Sequence, residues 1–171
     1  MLFIGESLVG AGINAAHINL YLGHKDGPIA SAFAVAAASP GVGHVPFQAV
    51  LKPNLPAKPI TLFIAKAVLR STSHETMTWG PAQLGVAAGV TKALLDGILP
   101  QEAEDDWLAI ACVWLSHEAD DAEEVYHNNR VATFEAAKRA LQKGWPNHTE
   151  LSDGLANVGN PFFTPKVAYK P

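Results

Sequence analysis

Hydrophobic and polar positions alternate along the chain with two periods, and the switches between them outline the elements. Over residues 17–22 the period is two. Ile18, Leu20 and Leu22 fall on one face of a strand, and His17, Asn19 and Tyr21 on the other. Residues 45–51 and 60–69 also read as strands, and the three prolines between them (Pro53, Pro56 and Pro59) predict a stiff, extended link without regular pairing. Residues 107–115 are apolar throughout, which predicts a strand buried on both faces. A helix is predicted over 29–38, entered through Pro28 in its first turn. A second covers 82–99, begun afresh after Gly80-Pro81, with Val86, Val90, Ala93 and Leu94 on one face. A third covers 122–142, with Asp120 or Asp121 as N-cap and Lys138, Arg139 and Lys143 at the negative end of the helix dipole. With a strand on either side of Gly10, this is an α+β layered domain over residues 1–145. Residues 146–171, rich in scattered Gly and Pro, read as an irregular tail packed on the surface or on a neighbour.

Composition adds two constraints. The 171 residues are 49% hydrophobic but only 16% charged, against roughly 25% in an average soluble domain. Apolar surface left over on a domain of this size marks an interface, so a homo-oligomer is expected. The formal net charge of −4 excludes nucleic acid and anionic lipid as the main partner. The beginning of the chain lacks a basic segment and the apolar run 29–38 is too short to span a bilayer, which predicts a soluble, cytoplasmic protein with no membrane partner.

Few residues offer chemistry. Gly10-Ala11-Gly12-Ile13-Asn14-Ala15 fits G-x-G-x-x-A, but a strand follows where a dinucleotide site needs a helix, so it reads as a turn between strands. Cys112, the single cysteine, excludes a disulfide framework and reads as a small buried hydrophobe. The seven histidines contain no H-E-x-x-H and no close pair, so no metal site is expected. The polar strand face that begins with His17 is either solvated or a cleft wall carrying a group that titrates near neutrality. Lys66, set in an apolar strand, either snorkels outward or holds an anionic or polar ligand. Gln83 is either an exposed helix residue or an amide offering donor and acceptor to a heterocycle.

Several segments together resemble one family. Gly5-Glu6-Ser7-Leu8-Val9-Gly10, Ala16-His17-Ile18-Asn19-Leu20, Pro53-Asn54-Leu55-Pro56, Gly80-Pro81-Ala82-Gln83, Asp105-Asp106, His117 and Arg139-Ala140-Leu141 are similar, in this order, to the formaldehyde-activating enzymes. The resemblance implies a fold like the second domain of ribosomal protein S5 and a homopentamer. It also implies condensation of formaldehyde with tetrahydromethanopterin, as co-substrate and without metal, to the methylene derivative and water. His17 falls on the family's proton-donor position. Lys66 and Gln83 fall on pterin-contacting positions and keep the family's residue types. Asn19 stands where the family commonly has Asp, Gln48 where it has Leu, and Val68 where it has Thr; Asn160-Pro161-Phe162 replaces a His-Pro-Phe ending. These substitutions keep open a pterin-binding carrier or sensor, or an enzyme for another pterin or small carbonyl. The length leaves no room for the hexulose-phosphate synthase fused in some members.

The implied reaction explains the histidine. A pterin N5 adds to formaldehyde once the two are held together. Loss of hydroxide from the carbinolamine is harder, and an acid that titrates near pH 7 lowers that barrier. Asn19 adds no charge beside the imidazole, whereas Asp would favour its protonated form.

Overall fold

The computed structural model describes residues 1–143 and 146–166. Five strands form one sheet: β1 (Leu2–Val9), β2 (Ala16–His24), β3 (Phe47–Gln48), β6 (Ile60–Ala65) and β7 (Trp107–Trp114), in the order β1-β2-β7-β6-β3. Every neighbouring pair is antiparallel except β6 and β7, which are parallel. A parallel pair needs a long crossover, and the helices between these two strands supply it. The sheet is therefore mixed, and the expected α+β class holds.

One face of the sheet builds the core. Ile18, Leu20 and Leu22 of β2, Phe63 of β6 and Ala109, Ala111 and Val113 of β7 are all buried there. They pack on α3 (Gln83–Leu95) and α5 (Ala122–Lys138), which donate Val86, Val90, Val125, Ala132 and Ala136. The two helices lie unusually close. A Cβ at Gly89 would sit 2.5 Å from the Arg130 carbonyl oxygen, and one at Gly85 2.6 Å from that of Tyr126. The opposite face is covered only in part, by α1 (Pro28–Ala38), over a small cluster of Ile29, Leu62 and Ile110.

The local predictions hold where the hydrophobic period was unambiguous. Pro28 opens α1, the Asp121 side chain caps α5 by accepting from the Glu124 N–H at 3.0 Å, and residues 10–15 turn between two strands. Gly10 makes that turn at φ +81, with Asn128 packed where its Cβ would be. Asn14 binds the turn to the start of α5: its Nδ2 donates to Asp120 and Glu124, and its Oδ1 accepts from the Asp120 and Asp121 N–H groups.

Five expectations are corrected. The 45–51 strand is split at Ala49 into β3 and β4 (Val50–Lys52). The proline link is not unpaired: β4 forms a small hairpin with β5 (Leu55–Pro56), turned by Asn54 at φ 67. Gly80-Pro81 does not restart the chain. Helix α2 (Thr72–Met77) runs into α3 through a wider π turn over Thr78–Ala82, which tolerates the proline's missing N–H. That helix also stops early, at Leu95, where Gly97 adopts φ +73 and the Ile98 N–H returns to the Ala93 carbonyl in a Schellman closure. Finally, the tail is not irregular throughout. Asn147 and Glu150 form a reciprocal capping box for a helix over His148–Ala156, here α6 because the short α4 (Ala103–Asp106) precedes β7. Gly144 and Trp145, where the domain boundary was read, lie outside the described residues. Among the described residues no helix is long and apolar enough to cross a membrane.

Candidate active site

The period-two reading of β2 places His17, Asn19 and Tyr21 on the sheet face away from the core, each half-buried. Register then decides what they meet. His17 lies opposite Trp114 and Asn19 opposite Cys112 on β7, and Glu6 of β1 lies opposite Asn19. Lys66 arrives from the next strand. It is not inside β6, as the 60–69 strand predicted, but one residue past its end. Its N–H still donates to the Val113 carbonyl at 2.7 Å, while Leu69 has already turned away to pair with Gly43. That position frees the lysine side chain to cross the open face.

The result is a chain of polar contacts. Lys66 Nζ donates to Asn19 Oδ1 at 2.7 Å and lies 3.1 Å from His17 Nδ1. His17 Nε2 lies 3.0 Å from a Glu6 carboxylate oxygen. Arg139, just past α5, donates to the Glu6 carbonyl at 2.8 Å and lies 3.7 Å from its carboxylate. These contacts select one tautomer: Nδ1 accepts from the lysine, and the Nε2 proton is donated to Glu6.

Electrostatics follow from the geometry. Burial, then the Lys66 charge, lowers the His17 pKa below its ordinary value, with Glu6 opposing. Burial also lowers the Lys66 pKa, against the opposing pull of Cys112 and Glu6. Lys66 has no carboxylate within ion-pair distance among the described residues, because residue 19 is an amide. Cys112 corrects its expectation in part. It is half-buried rather than fully buried, it shares the open face with Asn19 and Lys66, and burial pushes its thiol up.

The remaining predicted residues lie elsewhere on the chain. Gln83 is buried, and its amide offers donor and acceptor to the peptide of Val50: Oε1 accepts from N–H at 3.0 Å and Nε2 donates to the carbonyl at 3.3 Å. Gln83 and Gln48 line an open cleft of about 310 Å³ with Val45, Phe47, Val50 and Trp79. Strands β2 and β3 are three steps apart in the sheet, about 14 Å laterally by strand spacing, and Gln48 is level with Tyr21 rather than with His17, so the cleft is offset from His17 along the strands as well. Val68 is half-exposed and lines a smaller cavity with Arg70, His74 and His117. Within one chain the structure thus joins His17, Asn19 and Lys66, joins Gln48 and Gln83, and places Val68 in a cavity also lined by Trp114, the β7 residue opposite His17.

Sequence reasoning did not single out Glu6, Arg139 or Trp114 as site residues. Glu6 carried a signal, since period two from Leu8 puts it on the His17 face once β1 and β2 are paired. Phe162 carried one only through the resemblance of residues 160–162 to the family's ending: it returns from the tail to meet Trp114 edge-on, with ring centroids 5.1 Å apart. Among the described residues no three His, Cys, Asp or Glu side chains converge as a metal cage.

Comparison with known proteins identifies the family. A family model described as formaldehyde-activating enzyme matches residues 4–163. A Methanosarcina barkeri protein named 5,6,7,8-tetrahydromethanopterin hydro-lyase is 38% identical over 159 residues, 93% of this chain and 89% of its own. Bifunctional Fae/Hps enzymes of Methanococcoides burtonii and Archaeoglobus fulgidus are 38% and 40% identical over 86% and 81% of this chain. The chain spans only 37% and 35% of those two longer proteins. With the family model matched over nearly the whole chain, this protein belongs to the formaldehyde-activating enzyme family.

Proposed function

We propose that the protein condenses formaldehyde with tetrahydromethanopterin to the methylene derivative and water, in one-carbon metabolism and formaldehyde detoxification, with His17 as proton donor. The observation that carries the reading is the placement of His17 between Glu6 at 3.0 Å and Lys66 at 3.1 Å on the open sheet face. Glu6 holds the imidazole from Nε2 and stabilises the imidazolium when it forms. Lys66 supplies or withdraws a proton at Nδ1. A lowered pKa makes the imidazolium a readier donor to the departing hydroxyl. Asn19, Lys66, Gln48, Val68 and Gln83 are the substrate-binding set.

His17 and the Gln48–Gln83 cleft are about 14 Å apart across the sheet and further offset along the strands, which is wider than a pterin bicycle. The reading therefore includes a ring-shaped homo-oligomer, a pentamer, in which the cleft of one copy faces the His17 group of the next. The low charge content and the exposed, uncharged face of α1 support it. A cytoplasmic location and a fold of the ribosomal protein S5 domain 2 type belong to the same reading.

The test is an absorbance assay of formaldehyde with tetrahydromethanopterin, with tetrahydrofolate in parallel. Acceleration with tetrahydromethanopterin is expected. No acceleration with either pterin overturns the enzyme reading and leaves a binding protein. Sedimentation checks the assembly, and a stable monomer of 18.1 kDa at micromolar concentration would overturn it.

A further inference from the structure

We infer that Lys66 is a covalent acceptor for formaldehyde: its amine captures the aldehyde as an iminium and hands the carbon to the amine of the second substrate. The hand-over rests on the proposed function; the capture does not.

The geometry around Nζ carries this inference. A neutral amine has two N–H bonds and one lone pair. Two acceptors are in place, Asn19 Oδ1 at 2.7 Å and His17 Nδ1 at 3.1 Å. They satisfy both N–H bonds and leave the lone pair unengaged by either. An ammonium would carry a third N–H, and no carboxylate stands within ion-pair distance of it among the described residues. The charged groups facing it are few. Glu6 on β1 is occupied by His17 Nε2 and lies near Arg139, and on β7 the facing group is the neutral thiol of Cys112. Burial acts in the same direction, lowering the Lys66 pKa. A desolvated lysine beside a proton acceptor is the arrangement that activates an amine toward carbonyls.

His17 provides the acceptor. With Nε2–H donating to Glu6, Nδ1 is free to take the proton that Lys66 must lose. The lone pair of Nζ then attacks the formaldehyde carbon, a C–N bond forms, the C=O pair moves to oxygen, and one proton passes from the now cationic Nζ to that oxygen. The resulting carbinolamine receives a proton from His17 Nδ1 on its hydroxyl. Water leaves as the nitrogen lone pair closes the C=N bond. In sum, the ammonium of Lys66 and one formaldehyde give one methylene iminium and one water, with no net proton or electron change. A second amine then adds to the iminium carbon, a proton shifts to Nζ, and the C–Nζ bond breaks with its electron pair returning to Lys66. The new iminium sits on the acceptor.

The experiment is reductive trapping in the full chain without pterin. Substoichiometric formaldehyde and cyanoborohydride are added at pH 7, and methylation of each lysine is read by peptide mass mapping. Lys66 is expected to be methylated about tenfold or more faster than Lys25, whose ammonium is held by Asp106 at 2.7 Å. In urea this preference should vanish. Equal labelling of Lys66 and Lys25 in the folded protein overturns the inference, whatever the condensation assay gives. Conversely, fast labelling of Lys66 without any condensation keeps the capture and removes the enzyme reading. In an active enzyme, Lys66→Arg keeps charge and bulk but forms no such iminium. It should lower kcat about tenfold or more with a smaller change in the KM for the pterin. An unchanged kcat would remove the hand-over.

Discussion

Glu6 and His17 meet diagonally across the β1–β2 ladder, two residues out of register, and a carboxylate oxygen of Glu6 lies 3.0 Å from His17 Nε2. The contact exists because both strands put alternate residues on the open face and the Gly10 turn sets their pairing. It fixes which imidazole nitrogen carries the proton in the neutral ring, and so which one is left to exchange protons with Lys66.

His17→Ala should lower the condensation rate about 10²–10⁴-fold, the usual span for a lost acid–base group. Glu6→Gln should cost less, because Glu6 acts through the imidazole. Glu6 raises the His17 pKa, so its removal should also move the basic limb of the pH–rate profile to lower pH. Stopped-flow rates from pH 5 to 9 check both. A rate in His17→Ala equal to wild type would remove the proton-donor role.

Gln83→Ala should destabilise the fold by about 2 kcal/mol, from two lost hydrogen bonds to the Val50 peptide. Gln83→Glu should not rescue it, since one carboxylate oxygen would then face the Val50 carbonyl. Urea unfolding measures this as a lower midpoint at unchanged slope. A midpoint like wild type would mean that water replaces the amide without cost.

Gly89→Ala should destabilise by about 1–3 kcal/mol, although alanine favours a helix by about 1 kcal/mol over glycine. The new methyl would meet the Arg130 carbonyl oxygen at 2.5 Å and Thr133 Cβ at 2.8 Å, so α3 and α5 must separate. Gly97→Ala is the control: it has open space around it but φ +73, so its cost is backbone strain alone. Thermal unfolding of the two variants separates packing from strain.

The hydrophobic period made β2 and the core face legible because β2 buries one side continuously, while α1 was legible from Pro28 and the apolar run behind it. It failed where a single residue decides the path. Pro81 looked like a break, but a π turn absorbs its missing N–H. The 60–69 strand ends at Ala65 because Leu69 pairs with Gly43, a contact from a distant loop that no local pattern contains. The site was legible in the same measure. His17 and Asn19 share a face by counting alone. That Lys66 reaches both needs the β2-β7-β6 order, which depends on the crossover through α2 and α3. The pairing of Gln83 with Val50 needs the hairpin that the prolines seemed to forbid.

Acid should unfold the protein partly through His74. This residue is 2% exposed, and burial lowers its pKa below 6.5. In the unfolded chain it titrates near its ordinary value. As pH falls through 6.5 the unfolded state therefore takes a proton that the folded state refuses, and stability drops until the folded group titrates too. His74→Gln removes this proton uptake. Comparing urea midpoints at pH 8 and pH 5, the loss in the variant should be smaller than in wild type. Equal losses would place the acid sensitivity in other groups.

Asn19→Asp tests the proton pair of Lys66 and His17 from the other side. The Asn19 Oδ1 lies 2.7 Å from Lys66 Nζ, so a carboxylate there would hold the ammonium directly. Two consequences share a sign. Lys66 keeps its proton to higher pH, because its charged form gains a partner. His17 also keeps its proton to higher pH, because the Lys66 charge that depresses it is now neutralised. The acidic limb of the pH–rate profile, which reports the free amine, and the basic limb, which reports the last proton of the pair, should both move upward. At pH 7 the variant should methylate more slowly at Lys66 in the trapping experiment. A shift of the basic limb alone would mean that the free amine of Lys66 is not needed for turnover. A profile that stays in place would mean that the residue-19 side chain leaves Lys66 once substrate binds, and that its contact with the lysine belongs to the empty site.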